Sequence, residues 1–100
     1  MDKRQKADPE RLAQICRRFG IRRLALFGSR LKGTARPDSD VDLLVEFEPD
    51  ATPGLMRMVE IEDELSPLFG GLTIDLRTAE DLSRYFRDQV IAQAEVQYPQ

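Results

Sequence analysis

Apolar residues recur along this chain in two rhythms. Leu12, Ile15, Cys16 and Phe19 stand at i, i+3, i+4 and i+7, the spacing of one helix face. Asp8-Pro9 supplies an N-cap followed by proline at the first helical position, and Gly20 supplies a stop. Ile21 to Phe27 then reads as a strand, with Leu24 to Phe27 apolar on both faces and so expected to be buried. Residues 30–39 form a polar connection containing Gly33 and Pro37, with one helical turn expected after Ser29. Val41 to Phe47 is a second apolar strand, beginning around Asp40, and Asp50 to Gly54 is a turn. The helical rhythm returns at Leu55, Met58, Ile61, Leu65 and Leu68, with Glu60, Asp63 and Glu64 elsewhere on the wheel, until Pro67 and Gly70-Gly71 end it. Leu72 to Leu76 is a third strand. Thr78, with Asp81 three residues on, is placed to cap a last helix carrying Leu82, Tyr85, Phe86 and Val90. Residues 1–7 are polar and expected to be loose, and residues 95–100 to form a short strand or a tail. The order α-β-loop-β-α-β-α predicts a mixed α/β domain, one sheet covered by helices.

At 100 residues, a single domain over 1–100 is expected, with room for one modest core. The composition, 41% hydrophobic and 33% charged, is that of a globular chain rather than a disordered one. No apolar run approaches the roughly 20 residues of a membrane span, so no membrane partner is expected. Met1 to Pro9 lacks the apolar stretch of a signal peptide. The single cysteine, Cys16, allows no internal disulfide and fits a reducing cytoplasm. The absence of histidine excludes a Ser-His-Asp triad and a histidine-bearing zinc site. Polar catalysis is left to carboxylates, arginines and hydroxyls.

Charge is segregated. Residues 1–36 hold 11 Lys/Arg against 3 Asp/Glu, a net of +8, and residues 37–100 hold 4 against 15, a net of −11. The total of −3 argues against general nucleic-acid binding, because phosphate contacts need surplus positive charge. The asymmetry nevertheless suits a local basic patch for a polyphosphate beside an acidic patch for a cation.

The acidic patch has named candidates. Asp40-Val41-Asp42 opens the second strand, and alternation sends both aspartates to one face. Their Cα atoms would lie roughly 6.5–7 Å apart. Like charges entering an apolar strand repel unless a cation is present. Asp75 interrupts Leu72-Thr73-Ile74-Asp75-Leu76, where the apolar pattern predicts burial. If that strand neighbours the second, at about 4.8 Å, Asp75 joins the other two. Three carboxylates with neither imidazole nor thiolate form a hard-oxygen site suited to Mg²⁺, or Mn²⁺, rather than zinc. Gly28-Ser29 ends the first strand, where glycine permits close backbone approach to a ligand and the Ser29 hydroxyl can hold a phosphate oxygen. Arg30, Lys32 and Arg36 lie in the same connection and could offset polyphosphate charge, while Gly33 serves a turn with positive φ. The P-loop and G-x-G-x-x-G patterns are absent.

Gly28-Ser29, ten intervening residues and then Asp40-Val41-Asp42-Leu43 resembles the signature of the DNA polymerase β nucleotidyltransferase superfamily. The stretch LALFGSRLKGTARPDSDVDLLVEF and the later LTIDLRT are similar to its minimal nucleotidyltransferase branch, and the resemblance runs from about residue 10 to residue 98. It implies an α+β fold with a small mixed sheet flanked by helices. It implies transfer of a nucleoside monophosphate, often AMP from ATP or another NTP, to a hydroxyl. It also implies two metal ions on the positions matched by Asp40, Asp42 and Asp75, with Gly28 and Ser29 against the triphosphate. Many members act as antitoxins that place AMP on a tyrosine of a HEPN-type ribonuclease toxin.

Two further expectations compete with that one. The chain could be a binding module that neutralises a toxin by contact alone. It could also be a stand-alone transferase acting on a small molecule or an RNA end. Met56 and the region of Tyr85, Ile91 and Tyr98 could supply apolar contacts to a partner, although core packing is the expectation for each alone. An assembly with itself or with another protein is compatible with all three. A pure interaction module has no need of three mutually repelling acids, which favours catalysis.

Overall fold

The structure, a computed structural model, describes residues 8–28, 33, 36 and 39–99. The expected loose segment 1–7 and the expected turn after Ser29 lie outside the described residues. Helix α1 (Pro9–Phe19) is followed by strands β1 (Ile21–Phe27) and β2 (Val41–Phe47), then helix α2 (Leu55–Leu65). A 3₁₀ turn (Ser66–Phe69) leads into β3 (Ile74–Arg77), and a second 3₁₀ turn (Ala79–Asp81) into helix α3 (Arg87–Gln93) and β4 (Glu95–Tyr98). The strands form one sheet in the order β3-β2-β1-β4. β1 is antiparallel to both β2 and β4, whereas β2 and β3 are parallel. This is the mixed sheet with flanking helices that the residue pattern and the resemblance imply. Among the described residues no helix is long and apolar enough to cross a membrane.

Local chemistry explains the first helix. The Asp8 side chain accepts from the Glu10 N–H at 3.1 Å, Pro9 presets the first helical φ, and Gly20 closes the helix at φ 70°. Leu12, Cys16 and Phe19 pack onto Leu24, Val41, Leu43, Val45, Ile74 and Leu76, with Ile61 and Leu65 of α2 and Phe69 completing the core. Leu24, Leu43, Ile61 and Leu65 are fully inaccessible. Each such side chain contributes about 1.5–3 kcal/mol through burial. Glu62, one position beyond Ile61 on α2, accepts the Leu76 backbone N–H at 3.0 Å.

Four expectations need correction. Leu55 belongs to the apolar rhythm of α2, but it sits in the first turn and is 82% exposed. The core is closed instead by Phe69, which the 3₁₀ turn containing Pro67 swings inward. The third strand starts and ends later than expected, at Ile74 and Arg77. The expected last helix is broken. Thr78 and Asp81 do form a capping box, but on a three-residue 3₁₀ turn that Leu82 ends in extended conformation. Tyr85 and Phe86 are 80% and 60% exposed, so no core holds that stretch helical. The chain turns at Ser83, whose carbonyl accepts the N–H groups of Phe86 and Arg87 at 2.9 Å. Arg87 then clips the segment, its Nε donating to the Ala79 carbonyl at 2.7 Å and its Nη2 to that of Leu82 at 3.2 Å. Met56, like Tyr85, is exposed rather than packed in the core, while Ile91 and Tyr98 are half-buried.

Candidate active site

The site is written by the register of two parallel strands. Val41 pairs with Ile74, Asp42 with Asp75, Leu43 with Leu76 and Leu44 with Arg77. Residues at matching rungs project to the same side of a sheet. Val41, Leu43, Ile74 and Leu76 are buried against α1 and α2, so Asp42 and Asp75 stand together on the opposite face, both half-buried.

Their proximity shows in protonation. The Asp42 carboxyl titrates above its usual range. Partial burial is the main cause, followed by the charge of Asp75 and a hydrogen bond between the two side chains, with a smaller contribution from Asp40. Arg77 opposes these effects. Its Nε and Nη2 both donate to Asp75 Oδ2, at 3.3 and 3.2 Å.

Asp40 is the residue before β2 and is exposed. Among the described residues, no three carboxylates or other metal-ligating side chains converge closely enough to hold one ion. The structure therefore joins Asp42 to Asp75 and leaves Asp40 at the entrance to the site, acting on Asp42 through its charge. Gly28 lies directly past Phe27, the register partner of Asp42. Its φ is +83°, and a Cβ there would overlap the Asp42 carboxylate. Glycine is thus required twice at this position, by conformation and by close approach. Ser29, Arg30 and Lys32 lie outside the described residues. The Arg36 N–H donates to Ser39 Oγ at 2.9 Å and the Ser39 N–H to the Arg36 carbonyl at 3.0 Å, a reciprocal turn that delivers the chain to Asp40. Gly33 has the expected positive φ, 74°.

The donor set fits a hard divalent cation. Asp42 and Asp75 offer only oxygen, repel one another and are partly withdrawn from water, which is the chemistry of a magnesium or manganese site. Burial pushes the Cys16 thiol up to about 12, so it offers no thiolate at neutral pH.

Two features escaped the residue pattern. One is Arg77, although its spacing from Asp75, two residues along a strand, places both on one face. The other is a cleft of about 420 Å³ on the same side of the sheet, floored by Ala25 and Leu44 and bordered by Ala79, Ile91 and Ala94. It depends on the return of α3 over the sheet, for which no short-range signal exists.

Known proteins share this fold. The nucleotidyltransferase domain family matches residues 10–98. The protein adenylyltransferase MntA of Thermococcus cleftensis is 44% identical over 63 residues, which are 63% of this chain and 61% of that protein. The chain thus spans about three fifths of that curated relative. A solved structure named as a minimal nucleotidyltransferase is 36% identical, with a TM-score of 0.68 over 86% of this chain and 85% of the other. A crystal structure of a toxin–antitoxin with AMP-PNP shares the fold, with a TM-score of 0.69 and 21% identity over 93% of this chain and 74% of the other. With the family match spanning nearly the whole chain and the fold shared along its length, the protein belongs to the nucleotidyltransferase domain family, in its minimal branch.

Proposed function

We propose that this chain is a metal-dependent adenylyltransferase that moves AMP from ATP to a hydroxyl of a partner protein, a tyrosine of a HEPN-type toxin, and so acts as an antitoxin. The observation that carries this reading is the pairing of Asp42 with Asp75 on the open face of the sheet, with Gly28 held against Asp42. A half-buried, self-repelling acid pair is a poor structural element and a good cation site. The names of the relatives support the activity, and a neighbour of the same fold is a toxin–antitoxin structure with AMP-PNP.

In this reading Asp42 and Asp75, with Asp40 at the entrance, would hold the Mg²⁺ ions. A bound Mg²⁺ supplies charge neutralisation of the triphosphate and lowers the pKa of an attacking hydroxyl. The bare Cα of Gly28 admits the Asp42 carboxylate, and its backbone, with Ser29, Arg30 and Lys32 following in sequence, would meet the triphosphate. Asp75, on the edge strand, faces the acceptor and takes its proton. The new bond joins the acceptor oxygen to the α-phosphorus, and pyrophosphate leaves. Positioning and electrostatics do most of the work.

The test is incubation of the chain, its gene-adjacent partner, Mg²⁺ and ATP labelled at the α-phosphate. Label on a partner tyrosine, lost with Asp42→Asn, is the expected result. A stable complex that never acquires label would overturn it in favour of neutralisation by contact. That second reading draws on the exposure of Leu55 and Met56, 82% and 85%, on one end of α2.

A further inference from the structure

We propose that Arg77 is the resident counter-cation of the carboxylate pair, a positioning residue that holds Asp75 while the site is free of metal and gives way when a divalent cation binds. The inference rests on the reading that Asp42 and Asp75 take such a cation, and it adds a competitor built into the fold.

Geometry supports it in three ways. Both Arg77 contacts go to one oxygen, Asp75 Oδ2. The guanidinium therefore fixes the carboxylate while leaving Oδ1 outside its grip. Arg77 follows Asp75 by two residues on β3, so it approaches along the strand, from the Leu44 rung, rather than from above the pair. The contact is also open to water, with side-chain exposures of 47% for Arg77 and 36% for Asp75. Exposed ion pairs are weak and easily exchanged. A buried arginine fork would block a metal, whereas this one can be displaced by a dication. Arg23 lies on the same side of the sheet, yet its rung is opposite Glu46, two strand positions beyond Leu44. It therefore serves as a control of similar charge without the contact.

The experiment is Mn²⁺ binding by electron paramagnetic resonance on the full chain, with no nucleotide present, together with melting of the metal-free protein. Arg77→Gln is expected to tighten Mn²⁺ binding by about threefold to tenfold. The same variant should melt lower without metal and gain more than the parent on adding Mn²⁺. Arg77→Lys, which keeps the charge but not the two-donor geometry, should fall between the two and keeps the test open if the glutamine variant folds poorly. Arg23→Gln should stay within about twofold of the parent. Unchanged or weaker Mn²⁺ binding in Arg77→Gln overturns the proposal. So does equal tightening in Arg23→Gln, which would signal a general field rather than a contact. Loss of Mn²⁺ binding in Asp42→Asn with no response in the Arg77 variants defeats this proposal alone. A parent protein that binds no Mn²⁺ defeats the metal reading as well.

Discussion

On the side of the sheet that meets α1 and α2, Val41, Leu43, Ile74 and Leu76 are almost wholly inaccessible. On the other side, one residue along the same strands, Asp42, Leu44, Asp75 and Arg77 keep contact with solvent. Nothing separates the two sets but strand alternation. The inner face is apolar and its worth is measured in burial. The outer face gathers like charges whose mutual repulsion detracts from the free protein's stability. Such a molecule should allow stability and activity to be altered independently, by choosing which face of a strand to change.

The largest expected effect is on transfer. Asp42→Asn should lower the rate on the order of 100- to 1000-fold, while the metal-free protein melts at the same temperature or higher because one repelling charge is gone. A parallel fall in melting temperature would break the distinction between the faces. Leu43→Ala, one residue away but fully buried, is the converse. It should cost about 3 kcal/mol in urea unfolding and leave the rate per folded molecule close to that of the parent.

Gly28→Ala sharpens the boundary between the two. Positive φ costs an alanine about 1–2 kcal/mol, and its Cβ would push the Asp42 carboxylate aside. Transfer should therefore fall further than the lost stability explains, as steady-state rates on the folded fraction would show. Arg87→Ala tests the covering segment rather than the sheet. Losing the carbonyl contacts to Ala79 and Leu82 should cost about 1.5 kcal/mol in the melting equilibrium and loosen the cleft wall.

The smallest expected effect is a pH slope. The Asp42 carboxyl is raised above its ordinary 3.8, so folding favours its protonated form. That contribution is full below 3.8 and disappears as pH rises through the raised folded value. The metal-free protein should thus lose stability on going upward from pH 3.8, and Asp42→Asn should flatten the slope. Asp81 behaves oppositely and in a lower window. The Thr78 backbone N–H and hydroxyl hold its carboxyl below 3.8, so its contribution is present above that value and fades as pH falls through the lowered one. Melting curves across the acidic range separate the two.

Much of this was legible in the residues because local rules and burial agree. Asp8-Pro9 and Gly20 bound α1 where the pattern placed them, and β1 and β2 run over the residues expected. Agreement fails where tertiary context decides. The rhythm of α2 cannot say that Leu55 is left exposed, nor that Pro67 turns Phe69 inward. The Thr78–Asp81 capping box is a sound start signal, yet the helix it announces has no core to lie on beyond Leu82. In the site, spacing alone places Asp40 and Asp42 on one side. Only the parallel register selects Asp75 as the neighbour of Asp42. Arg77 was within reach of the same alternation that located the aspartates.

The bond from the Leu76 amide to the Glu62 carboxylate has a bearing on assembly. β3 is an outermost strand, and outermost strands ordinarily present unpaired amides on which a foreign strand can build. Here one of those amides is already claimed by a helix of the same chain. An incoming strand on that border would have to evict a charged acceptor before gaining its own first hydrogen bond, so growth of the sheet past β3 is resisted and contact with another molecule is steered elsewhere.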